Sequence, residues 1–282
     1  MTRRRALLSL VAVTLASPVW AVDGVLEINA ACVATGCYAG DSPGFPVQTV
    51  SGRSHVLTSN LVVPDTSTGA IEGSTGTTID LNGFSVSGPV TCTRPGSYDP
   101  TLISCTGSGS GDGVSVGARG LVRNGRIHGF GRYGVLAAGG ITDHTNVEDV
   151  RVEQNAAGGI YLSGGSLRNV NVTLNGGPGI FNLNGGDANL AITIDVCNVA
   201  FNKGDGIGLA AKIRNCVISY NGGAGIYVVG QNSSISDCQL YRNTGKAIDA
   251  WGSYRDNEIT GNDSVGGQVI GTMSDEGGNN VH

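Results

Sequence analysis

The chain has 282 residues, 47 of them glycine, with 40% apolar residues and a formal charge of −5. So much glycine beside that apolar fraction excludes a disordered linker and calls for many turns between short strands. A net acidic chain is also a poor partner for nucleic acid.

The sequence opens MTRRRALLSLVAVTLASPVWA. Three arginines, an apolar run from Ala6 to Ala16, and small residues at Val19 and Ala21 have the form of a secretory signal peptide. Processing is expected between Ala21 and Val22. The apolar run is too short to span a bilayer, and no other long one follows. Loss of residues 1–21 removes Arg3, Arg4 and Arg5 and moves the formal charge from −5 three units further, to −8. The mature chain is therefore expected to be secreted or periplasmic, without a membrane span.

Residues 22–49 read as an N-terminal cap. Within them DGVLEINAACVA, Asp23 to Ala34, is predicted as a short capping helix begun by Asp23. Cys32 and Cys37 are near neighbours in a loop-like stretch. Cys92 and Cys105 bracket TRPGSYDPTLIS inside a predicted insertion over residues 89–111. In an oxidising compartment both pairs are expected to form disulfides.

Residues 50–265 repeat. The early units HVLTSNLVV, GAIEG and TTIDLNGFSVSG are irregular; the later ones align in columns. An Asn column runs Asn155, Asn175, Asn202, Asn221, Asn243 and Asn262. Five residues later stands an aliphatic column, Ile160, Ile180, Ile207, Ile226 and Ile248, with Val114 and Val135 as earlier members. Three residues before each Asn stands Val152, Val172, Val199, Ile218, Leu240 or Ile259. Two short strands of period two per unit of about twenty residues define an all-β solenoid of β-helix type. The absence of a 3.6-residue period excludes helical repeats. The Asn column is expected to form an internal amide ladder, with the glycines after it supplying positive φ at the turn. Cys197, Cys216 and Cys238 fall in an inward column held by Val elsewhere, and are expected to be a buried stack of thiols. No His joins them, so no metal and no cofactor is expected. The tail, 266–282, reads as irregular or a partial cap.

The units GGIYLSGGSLRNVNVTLN and GAGIYVVGQNSSISDCQLYRN, with TTIDLNGFSVSGP, resemble the right-handed parallel β-helix repeats of the pectin-lyase-like superfamily. That resemblance implies a right-handed, single-stranded parallel β-helix. It carries over no catalytic residue. The Asn-x-Asp, Asp-Asp, Gly-His-Gly and Arg-x-Lys signatures of its polygalacturonases are absent, as is the Asp-Pro-His-Asp of its epimerases.

Outward positions supply the candidates. Extending the columns back one coil sets Arg126 beside Arg151, and His128 beside Glu153, with Arg123, Glu148 and Arg168 in line. Stacked arginines are unfavourable alone and suit a carboxylate ligand. His128 or Glu153 could then serve as general base or acid. The same residues would also form a solvated ion-pair network of little worth. A second candidate is an aromatic stripe, Tyr161, Phe181, Tyr227 and Trp251, able to stack on sugar rings. The expected activity is binding of a polysaccharide or cell-surface glycan. The alternatives are a uronate lyase or other glycan-degrading enzyme using Arg126, His128, Arg151 and Glu153, and a structural, adhesin-like envelope protein.

Overall fold

The computed structural model describes residues 24–96, 99–138, 144–182, 192–263 and 267–282, without the side chains of 229–231. The expected signal peptide and Asp23 lie outside these residues. Among the described residues twenty-six strands join in one parallel network, wound in about 10 turns. Each turn visits three sheets. Gly165–Arg168 lies on the first, Asn171–Thr173 on the second and Ile180–Phe181 on the third.

Three aliphatic ladders explain why the coil closes. On the second sheet Val86, Ile127, Val152, Val172, Val199, Ile218, Leu240 and Ile259 are paired in register from coil to coil. On the third, Val135, Ile160, Ile180, Ile207, Ile226 and Ile248 do the same. The first contributes Ile79, Val122, Val147, Leu167, Ile194, Ile213 and Ile235. All are fully or almost fully buried. One coil has no opposite layer wide enough to cover its own row, so stacking is what removes these side chains from water. Each contributes roughly 1.5–3 kcal/mol on burial.

Two corners per coil take left-handed backbone. Between the first and second sheets stand Asp149, Asn169, Val196, Asn215, Asp237 and Asp256, at φ 51–55°. Between the second and third stand Gln154, Leu174, Phe201, Tyr220 and Arg242, at φ 52–57°. The positive φ thus belongs to the residue before each Asn, and not to the glycines after it as the sequence leads one to expect. Those glycines serve close stacking. A Cβ on Gly177 would fall 2.0 Å from the Ala157 carbonyl oxygen, and one on Gly222 2.1 Å from that of Lys203.

The amide ladder is continuous. The Nδ2 of Asn155, Asn175, Asn202, Asn221 and Asn243 each donates to the Oδ1 of the next Asn, at 2.8–3.0 Å. The same Oδ1 atoms accept the backbone N–H of the preceding Asn. Gln268 takes over after Asn262. At the other end Asn155 Oδ1 accepts from the Phe130 N–H, and the side-chain ladder begins at Asn155.

The short N-terminal helix is present, but it is shorter than expected and starts later. Val25–Ile28 is a strand paired with Ser54–Leu57, and the helix is one turn, Ala30–Val33, capped by Asn29. The alternation of Val25, Glu27 and Leu26, Ile28 favours a strand, while Asn29 supplies the cap oxygen to Ala31 and Cys32. The tail adds strands to the last coils. Val269–Asp275 pairs with the strand Ile248–Arg255, and Asn280–Val281 with Glu258–Thr260.

Disulfides join Cys32 to Cys37 and Cys92 to Cys105. Cys197, Cys216 and Cys238 are free and buried. Their Sγ atoms donate to the carbonyls of Asp195, Arg214 and Ser236. Hydrogen bonding to Cys216, then burial, holds the Cys197 and Cys238 thiols well above the usual range. Those same two contacts pull Cys216 the other way, below the usual range, but all three sulfurs are buried in the core, so an aromatic disulfide reagent should label none of the three in the native state within an hour, and all three in denaturant. Rapid native labelling would mean that the stack opens.

Candidate functional site

The predicted register around the charged patch is observed: Arg126 pairs with Arg151, His128 with Glu153, and Glu148 with both Arg123 and Arg168. The left-handed corner at Asp149 splits these residues between two sheets. Four arginines, one histidine and two glutamates do not form one patch.

On the first sheet the outward column reads Asp80, Arg123, Glu148, Arg168, Asp195, Arg214. The signs alternate at every step. Arg123 Nε is 2.9 Å from Asp80, and Arg214 is 2.9 Å from Asp195. Asn215 first, and Arg214 after it, hold the Asp195 carboxyl below its usual range. This column neutralises itself. Its pairs are largely solvated and each is worth little, but a one-coil slip would set like charges together.

The second sheet is different. Glu153 is 2% exposed, on an outward position. Arg126 donates to its Oε1 and Arg151 Nε to its Oε2, the latter at 2.6 Å. The anion that two stacked arginines require is thus supplied in part from within the chain. Both guanidinium side chains remain about half exposed. Two positive charges and one negative leave the cluster with one net positive charge. Beside it the His128 imidazole is pushed below its ordinary value, by burial first and then by Arg126, against the pull of Glu153. It is neutral at pH 7 and able to accept a proton.

The aromatic stripe is not continuous. Tyr161 and Phe181 are 8% and 6% exposed. They pack edge to face, with Tyr133 against both, so their faces are taken by one another. Bulky rings on adjacent coils cover each other before they can cover a ligand. Tyr227 and Trp251 are 42% and 47% exposed. Tyr227 is paired with Asp249, and Trp251 with Asn232 beyond a register shift. They lie on the third sheet, away from the arginines.

The insertion is a short antiparallel pair, Cys92–Thr93 with Ser104–Cys105. Val90, Cys92 and Ile103 form a second small core against Ala156 and Leu174. The Arg94 guanidinium lies 4.2 Å over the Phe201 ring, whose other neighbour is Tyr220 at 4.8 Å, stacked. The insertion therefore covers the second corner of the coils bearing Ala156 to Phe201. The bracketing cysteines announced a braced loop, but nothing in the sequence said where it lands.

Three parallel sheets around aliphatic ladders, cornered by an internal amide ladder, define a parallel β-helix. A family model described as right handed beta helix region matches residues 188–264. The chain is a right-handed parallel β-helix protein. No curated protein and no solved structure gave a match.

Proposed function

We propose that the protein is exported and binds an acidic polysaccharide across Arg126 and Arg151 on the second sheet. The observation that carries this reading is the clamp itself. Two half-exposed guanidiniums on successive coils share one buried carboxylate and keep a net positive charge, on a chain that is acidic as a whole. Arginine matches carboxylate geometry, and coils about 4.8 Å apart present donors in a row to an extended chain. Neutral His128 adds a proton acceptor at one side.

The test is a binding series with polygalacturonate, alginate and dextran. The two acidic polymers should bind, more weakly as salt screens the cluster; dextran should not. Arg151→Ala should weaken binding at least tenfold, and Trp251→Ala should leave it within twofold. Burial and then Arg126 hold the free-state His128 imidazole below its ordinary range, so it is neutral at pH 7 and protonates only as the pH falls through that lowered range. Affinity should rise from pH 7 to pH 5, and His128→Ala should abolish that rise. Equal binding of dextran, or none at all, would overturn the reading. Release of unsaturated uronate that vanishes in His128→Ala would assign elimination chemistry to the same cluster.

A further inference from the structure

Where the insertion meets the second corner there is an open pocket of about 310 Å³. One wall is Ile103 with the stretch Cys105–Ser108; the other is Ala156, Gly176 and Lys203. The three residues of the second wall occupy one column, each directly after a ladder Asn. In that column Ala156 and Gly176 are small, which makes the hollow, and Lys203 is large and exposed. The first wall is fixed by the Cys92–Cys105 bridge and the small apolar core beneath it, so the cavity exists before any ligand arrives.

The polar lining includes several donors. Lys203 forms no ion pair among the described residues. The Thr106 hydroxyl oxygen already accepts from the Thr91 N–H, which leaves its proton to donate. Ser108 Oγ and the N–H groups of Gly107 and Ser108 have no partner among the described residues. Among the described residues no carboxylate lines the cavity. An uncompensated ammonium beside hydroxyl and amide donors calls for an oxyanion. The volume is at the small end of ligand sites and fits one ring, not a polymer segment.

We infer that this pocket binds a single sugar acid, with its carboxylate on Lys203 Nζ and the Thr106–Ser108 donors. The ligand class rests on the acidic-polysaccharide reading above; the site does not overlap with it. Ala156 follows Glu153 by three residues, roughly 10 Å along the chain. The pocket therefore lies around the corner from the arginine clamp and can take a terminal unit of a chain lying on the second sheet.

The experiment follows the amide signals of Gly107, Ser108 and Gly176 by NMR in the full-length protein. The additions are galacturonate, glucuronate, galactose and inorganic phosphate. The two sugar acids should shift these signals, and galactose should need at least tenfold higher concentration. Lys203→Gln should weaken sugar-acid binding at least tenfold, while Lys203→Arg stays within about threefold. Both substitutions are on an exposed side chain, so folding is preserved. Arg151→Ala should leave these titrations unchanged while it weakens polymer binding, which separates failure of the clamp from failure of the pocket. Unshifted amides, an unaffected Lys203→Gln variant, or a response to phosphate alone would overturn the inference.

Discussion

Asn202→Ala should be the most destabilising single substitution among the polar residues of the coil. Asn202 Nδ2 donates to Asn221 Oδ1 and to the Val172 carbonyl, both at 3.0 Å. Its Oδ1 accepts from the Asn175 N–H at 3.2 Å and from Asn175 Nδ2 at 2.8 Å. Truncation leaves a buried N–H, a buried amide proton and a buried carbonyl short of partners, each costing about 1–3 kcal/mol. The corner before it, Phe201 at φ 54°, would lose the bonds that hold an aromatic residue in left-handed backbone. A total loss on the order of 4 kcal/mol is expected in denaturant unfolding. Because a solenoid is stabilised coil by coil, the transition should also broaden, as the coils on either side of Asn202 unfold less cooperatively. Asn202→Asp should be similarly damaging, since it removes both donors and puts a carboxyl in the core. A loss below about 1 kcal/mol would mean that water replaces the amide, and that the ladder is not what holds the corner.

Period-two spacing made the ladders readable in the sequence. A residue's column fixed its neighbours, so Arg126 against Arg151 and His128 against Glu153 followed without any structural information, as did the inward thiols. The column does not say what lies over an outward position. Tyr161 and Phe181 occupy the same outward column as Tyr227, yet only Tyr227 is free of a ring on the adjacent coil. Nor does it reveal backbone hand. Phe201, Tyr220 and Arg242 are poor residues for positive φ, and the conformation is held there by their own N–H bonds to the next coil together with those of the Asn that follows. Glycine was credited with the wrong property for the same reason. At Gly177 and Gly222 the constraint is a neighbouring coil's carbonyl oxygen, and no local sequence signal distinguishes that from a turn. The corner at Asp149, which separates Arg123, Glu148 and Arg168 from the clamp, was hidden likewise. Lys203 gave no signal at all, because its pocket depends on where a loop some hundred residues earlier comes to rest.

The arginine clamp makes a second large prediction, and it separates support from recognition. Removing Arg151 alone leaves Arg126 on Glu153 and should cost less than about 1 kcal/mol, as for other half-solvated pairs. Removing both, in Arg126→Ala/Arg151→Ala, strands a carboxylate that is 3% exposed along its side chain. That should cost about 3 kcal/mol, more than the two single losses together. Adding Glu153→Gln to the double variant should recover most of the loss, because the stranded group is then neutral. Binding should follow charge instead. The cluster carries one net positive charge, and Glu153→Gln raises it to two, so this variant should hold acidic polymer several-fold more tightly at low salt. The same variant is informative about chemistry. Glu153→Gln that binds well but ends the release of unsaturated uronate would make Glu153 part of a reaction, with the arginines setting its charge. Weaker binding in Glu153→Gln would mean that the carboxylate orients the two guanidiniums, and that geometry outweighs net charge at this surface.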